Sequence, residues 1–300
     1  EQPRCLVDFN GNILIFPAKQ YYSYVEEEGG DLEVGTDSET FTFCAKGSAE
    51  DSTLECWIER ESDWGELFTS GDSLRITTGN EDFNTVEVTS KYEQADDDAI
   101  VSCVVNRVDG KKLYVTNVNR KGEKVAFPEV DEDGVEATGT VRRGVPDILR
   151  ACVYNNRVFG YDASGERLYA SKLGDARNWY CYEGLSTDGW YSEVGTEGGF
   201  TGIAASSVGV VAFKNNYLHL VYGDSPRNFT LQPQIPVGCI DGRSVASVQQ
   251  VLFFLGYDGV YAFSGGYPSK VSDALDVRYT SGVGGGDGEK YYMSGKRPDG

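Results

Sequence analysis

Alternation with a period of two dominates the chain. The stretches NGNILIFPA (10–18), SLRITTG (73–79), NTVEVTSKY (84–92), AIVSCVVNRV (99–108), KKLYVTNV (111–118), GVVAFKNNYLHLVYG (209–223) and QVLFFLGYDGVYAFSGG (250–266) are rich in β-branched and aromatic residues, with Gly, Asn or Asp around them. Successive residues of a strand point to opposite faces, so this pattern predicts half-buried strands. Asp109-Gly110, Asn215-Asn216 and Asp258-Gly259 carry two-residue turn chemistry between strands. No stretch of a dozen residues keeps a period of 3.6. The pattern predicts an all-β fold.

The strands recur as a unit. Leu168-Tyr169 leads through Ser171 to Gly174-Asp175 and then Arg177-Asn178-Trp179. Leu218-His219 leads to Gly223-Asp224 and Arg227-Asn228-Phe229, and Val260-Tyr261 leads to Gly265-Gly266 and Pro268. A fainter copy, GNILIFPAKQYY, opens the chain. A repeat of about 40–50 residues with up to four short strands has the size of one β-propeller blade. A single blade cannot bury both faces of its sheet, whereas a closed ring of about four or more can. The text offers roughly three blades and a part, so the expected fold is a β-propeller, partial in this chain, whose blades continue beyond it. The absence of an initiator Met at Glu1 fits a chain cut from a longer polypeptide.

Charge marks an interruption. Residues 29–143 hold 12 basic and 26 acidic side chains, net −14, whereas 1–28 and 144–300 are each net −3. The same segment lacks the blade text and contains paired strands ending in the Asp109-Gly110 hairpin. We therefore expect three parts: first propeller strands at 1–28, an inserted acidic all-β domain (a small barrel or sandwich) at 29–143, and propeller blades at 144–300. Insertion at a loop tip costs little closure entropy and puts new surface within reach of partners. A surface this acidic repels nucleic-acid phosphates and anionic membranes, so neither is expected as a tight partner. No run of 18 apolar residues predicts a membrane-spanning helix.

The seven cysteines, at 5, 44, 56, 103, 152, 181 and 239, form no CxxC. Their scatter through strand-like text predicts buried free thiols of a protein folded in a reducing cytosol. Cys44 and Cys56 are the one pair placed to join across a hairpin.

Catalytic chemistry finds little support. The single histidine, His219, lies between two leucines in NYLHLVYG, which reads as structural and leaves no His-based metal triad. No GxSxG elbow accompanies it. Ser186-Thr187-Asp188-Gly189-Trp190 approaches the Asp-box of sialidases, but Gly directly follows Asp, and Arg157, Arg177 and Arg227 are isolated in the sequence rather than clustered. The runs Asp96-Asp97-Asp98 and Asp131-Glu132-Asp133-Gly134 do not fit an EF-hand loop and read as solvated turns. Gly-rich 284–288 lacks the Lys-Ser/Thr of a phosphate loop. The expectation is no catalytic, cofactor-binding or metal-binding residues.

The segment YASKLGDARNWYCYEGLSTDGWYSEVGTEGGFTGIAASSVGVVAFKNNYLHLVYGDSPRNFTLQ, with IDGRSVASVQQVLFFLGYDGVYAFSGGYPSKVSDAL and EKYYMSG, resembles a family of structural proteins of tailed bacteriophages and prophages. The resemblance covers about residues 145–295 and also catches ILIFPAKQYY. It rests on Ala170 to Gly174, Asn178-Trp179, Glu183-Gly184, Phe200-Thr201-Gly202, Tyr222-Gly223, Pro226, Gly259-Val260, Pro268 and Ser272 to Leu275. The chain departs from it at Ala176, where the family tends to have Pro, and at Gly198-Gly199. The resemblance implies a propeller-like virion component of the tail or neck, assembled in the host cytoplasm. It would contact other virion proteins, near the portal or along the tail, as a symmetric homo-oligomer without enzymatic activity. The rival reading is a secreted or surface propeller that binds or cleaves carbohydrate, with Trp179-Tyr180 and Trp190-Tyr191 as stacking platforms.

Overall fold

The computed structural model describes residues 4–50, 52–86, 99–231 and 234–273. The Asp96–Asp98 run, residues 87–92 of the strand expected at 84–92, the glycine-rich 284–288 and EKYYMSG lie outside the described residues. The fold is all-β: several antiparallel sheets and one closed six-stranded barrel. The chain divides into two compact units, Glu1–Gly195 with Gly223–Phe229, and Thr196–Tyr222 with Thr230–Gly300.

The first unit opens with a four-stranded meander, β1 (Cys5–Phe9), β2 (Asn12–Phe16), β3 (Gln20–Ser23) and β4 (Glu28–Asp31). Asn10-Gly11 turns β1 into β2 with both residues at positive φ (50° and 82°), the conformation whose twist matches that of the strands it joins. The opening copy is thus a complete sheet, and its last strand reaches Asp31. Its fourth strand, EGGD, has no apolar residue and exists through its ladder, Tyr21 opposite Gly30 and Tyr22 opposite Gly29. A Cβ on Gly30 would meet the Tyr21 ring at 3.0 Å, so a glycine fits there best.

The acidic segment follows as β5 (Val34–Gly35), β6 (Glu39–Lys46), β7 (Glu55–Glu59), β8 (Ser73–Thr78), β9 (Ser102–Asp109), β10 (Lys112–Val118), β11 (Lys124–Val125) and β12 (Val135–Arg143). Pairing runs β10-β7-β6-β12-β8-β9 and returns from β9 to β10, which closes the ring and leaves no open edge among those six strands. Aromatic rings fill the interior: Phe43 lies 4.7 Å from Phe83 and 5.0 Å from Phe127, and Phe41 stacks on Trp64 at 5.7 Å. Trp64 comes from the β7–β8 connection and donates its indole N–H to the carbonyls of Ile58 and Lys111. Cys44 faces Trp57 across the β6–β7 ladder and Cys56 faces Ala45, so the two thiols point to opposite faces and cannot join. All seven cysteines are free, five of them buried. Burial pushes Cys44, Cys56 and Cys181 up to about 11, so these thiols stay protonated at neutral pH.

A second meander completes this unit: β13 (Ile148–Tyr154), β14 (Arg157–Asp162), β15 (Arg167–Ala170) and β16 (Trp190–Glu193). Asn155-Asn156 makes its first turn, again with both φ positive. Val7, Phe9, Leu14 and Phe16 of the first meander share one core with Ile148, Val158, Tyr169 and Trp179 of the second.

The second unit holds a third meander, β17 (Phe200–Ala205), β18 (Val210–Lys214), β19 (Leu218–Tyr222) and β20 (Thr230–Leu231), and a fourth, β21 (Ala246–Val248), β22 (Val251–Leu255), β23 (Val260–Phe263) and β24 (Ser269–Lys270). Val211, Phe213, Leu218 and Leu220 pack with Leu252, Phe254 and Phe263 in a common core. The repeat anchors Leu168, Leu218 and Val260 fall on β15, β19 and β23, the third strand of their meanders.

Candidate functional site

The segment that repeats most clearly, 168–184, forms the loop leaving β15. Gly174 adopts φ +75°, where a side chain would be strained, and lets the loop double back to Asp175. The Asp175 carboxylate then accepts from the Arg177 amide at 2.9 Å and from the Asn178 carboxamide at 2.7 Å. Burial opposes ionisation of Asp175. Those two hydrogen bonds and the charges of Arg177 and Arg143 outweigh it and hold the carboxyl below its ordinary value. Trp179, fully buried, donates its indole N–H to the Ala176 carbonyl at 2.8 Å and meets Phe16 of β2 edge-on at 6.5 Å.

Asn178 is the pivot, because its carboxamide also reaches the barrel. Its oxygen accepts from the Ser73 amide (2.7 Å) and hydroxyl (3.1 Å), and its nitrogen donates to Asp72 Oδ1 at 3.1 Å. Asp72 is buried and paired with Arg143, also buried, whose Nη1 lies 3.2 and 3.3 Å from the two carboxylate oxygens. Thr69 donates its backbone N–H to the same carboxylate at 2.9 Å. Lys172 Nζ donates to the Gly71 carbonyl at 2.9 Å, and Ser102 takes the Tyr182 amide at 3.0 Å. The network is therefore a joint between barrel and second meander. Its carboxylates are consumed by structural partners and present no free base.

The second copy repeats the clasp and changes its use. Asn228 donates to the Asp224 carboxylate as Asn178 does to Asp175, but its oxygen accepts from the Asp224 and Ser225 amides of its own loop. Phe229, which stands where Trp179 does, packs edge-on against Phe159 of β14 and against Trp190, each at 5.5 Å.

The residues singled out in the sequence fall as follows. Arg157 is fully buried and donates to the carbonyls of Ser171 (2.8 Å), Ser186 (2.6 Å) and Asp188, so it organises the 186–188 loop. Asp188 is itself buried, accepts the Leu185 amide at 2.9 Å, and is raised by burial, as is Glu183. Arg177 pairs with Asp175 at 3.5 Å, and Arg227 sits on the loop between β19 and β20. Asp131 accepts the amides of Asp133 and Gly134, and Glu132 pairs with Lys46, which makes this run a capped turn. No cluster among the described residues is arranged to hold a metal ion. Trp179 is wholly interior, and the half-buried Trp190 meets Phe229 edge-on at 5.5 Å.

His219 lies on β19, buried, with Nε2 2.8 Å from the Thr196 hydroxyl, while Lys214 Nζ donates to the Thr196 carbonyl at 2.6 Å. Burial, reinforced by the Lys214 charge, pushes the imidazole down to about 4. The unfolded chain, at about 6.5, then binds a proton that the folded one refuses, so stability is full above pH 6.5 and falls as pH drops toward 4. The expected loss is about 3 kcal/mol across that window. His219→Gln should remove this component from urea midpoints measured between pH 7 and pH 4.5; an unchanged pH slope would refute the assignment.

The two asparagines show how little of the joint the sequence exposes. Asn178 was legible as part of a repeated turn, whereas Asp72, Ser73 and Arg143 stand about 35 to 106 positions away from it with no shared motif. Charge-bearing residues that find each other only through closure of a barrel leave no local signal. No protein-family model matches this chain, and no curated protein matches it.

Proposed function

We propose that this chain is a non-enzymatic structural protein of a tailed-bacteriophage virion, at the tail or neck, whose meanders are blades of a β-propeller carrying the acidic barrel as an insertion. The observation that carries this reading is a repeated packing device. Within the first unit, Trp179, which follows the third strand of the second meander, packs on Phe16 in the second strand of the first meander, and Phe229 of the same unit makes the like contact on Phe159. Such a device joins blade to blade and serves a stacked ring. The residues that carry the family resemblance, Asn178 and Trp179 above all, are consumed in burial and hydrogen bonding, as a building part requires.

In this reading the net −14 of residues 29–143 keeps the passing genome and other polyanions from adhering, and several copies surround the tail axis. Mass spectrometry of purified virions, with antibody labelling under the electron microscope, is expected to place the protein at the head–tail junction or along the tail. Its absence from virions overturns the proposal. Titration with duplex DNA at low salt is expected to show no tight binding, and submicromolar affinity would refute the role given to the acidic surface.

A further inference from the structure

The second unit carries a cleft that the structural role leaves unused. It opens between two hairpin tips, Asn215-Asn216 linking β18 to β19 and Tyr257–Gly259 linking β22 to β23, and has a volume of about 330 Å³. That lies at the small end of ordinary ligand sites, about 300–1,000 Å³. Backbone forms part of the floor, because Gly238 lies against the Lys214 and Asn215 carbonyls and Gly256 against the Tyr261 ring, too close for side chains. A Cβ on Gly238 would stand 2.3 Å from the Asn215 carbonyl, and one on Gly256 would stand 2.9 Å from the Tyr261 ring.

The side chains around this floor fall into two groups. Tyr261 is fixed, stacked on Phe254 at 5.8 Å with its hydroxyl donated to Asp258 at 2.8 Å. Asn215, Asn216, Tyr217 and Tyr257 are different: their side-chain polar atoms have no partner among the described residues, and Tyr257 is 91 % exposed. An exposed tyrosine with two free carboxamides and a second free phenol is a set of groups that both donate and accept.

The charge content narrows the ligand. No lysine or arginine lines the cleft, which removes phosphate and sulfate as anchors. The one carboxylate, Asp258, is already matched by Lys270 at 3.3 Å, which removes a cationic side chain. What remains is a neutral molecule with many hydroxyls and an apolar face to lay on a ring. We propose that this cleft is a binding site for a neutral saccharide, in which Tyr257 stacks on the sugar face and Asn215, Asn216 and Tyr217 bond its hydroxyls. The proposal stands apart from the virion role: a protein absent from virions can still bind sugar here.

The test titrates the whole chain with maltohexaose, chitohexaose and mannohexaose by calorimetry, alongside inorganic phosphate and a decaproline peptide. At least one neutral oligosaccharide is expected to saturate in the millimolar range or tighter. Tyr257→Ala and Asn216→Ala should each weaken it by about tenfold. Their melting temperatures should equal that of the parent, since both side chains are exposed. Saturation by none of the three sugars, affinity unchanged in both variants, or binding of phosphate or decaproline in place of sugar would each overturn the proposal.

Discussion

Asp72→Ala lowers the unfolding free energy of the first unit by about 3–5 kcal/mol. The substitution removes the partner of a guanidinium that is itself buried, and it also strips an acceptor from Asn178 and from the Thr69 amide. Most of that cost is an uncompensated buried charge, so its cure is to remove the other charge as well. Asp72→Ala combined with Arg143→Met is expected to recover a large part of the loss, because a buried ion pair is worth little over well-packed apolar groups. Denaturant unfolding followed by fluorescence distinguishes these outcomes. A single variant within 1 kcal/mol of the parent, or a double variant no better than the single, contradicts the account.

Trp179→Ala is expected to cost a similar amount, about 3–5 kcal/mol, through the cavity left between the first two meanders. For a unit of this size that corresponds to a fall in Tm of about 6–20 °C. Trp179→Phe should lose much less, since it keeps an aromatic ring near Phe16 and gives up the hydrogen bond to the Ala176 carbonyl. If Trp179→Ala melted with the parent, the ring would not hold the two sheets together, and the proposed joining of blades would lose its support.

The two variants probe different degrees of legibility. Trp179 follows a turn whose chemistry the sequence displays, Gly174-Asp175, and its echo at Phe229 makes the repeat visible in the sequence alone. Period-two text likewise exposed β2, β8, β10, β18 and β22. What stayed hidden had no local cause. β4 is a polar edge strand, EGGD, defined by its partner's ladder alone. Gln249-Gln250 turns β21 into β22 with φ of 48° and 69°, a conformation for which glutamine gives no signal and which the flanking strands impose. Closure of the acidic segment into a ring depends on β9 meeting β10 and β8 together, a fact of topology rather than of pattern. The cleft between the hairpin tips was hidden for the same reason: Asn215 and Tyr257 are 42 positions apart and meet only because two meanders share a core.

The short pairing of β5 with β12 has a consequence for how such a chain evolves. Val34 lies opposite Arg143, so the polypeptide leaves the first meander and returns toward the second through neighbouring positions, about 5 Å apart. To the rest of the molecule the whole barrel is equivalent to a tight connector. A lineage can therefore exchange one cassette for another, with a different charge or a different partner, without re-registering a single strand outside it. The exchange carries one condition. The incoming cassette must offer partners to Asn178, Lys172 and Tyr182, as Asp72, Ser73, Gly71 and Ser102 do in this chain, or those three must change with it.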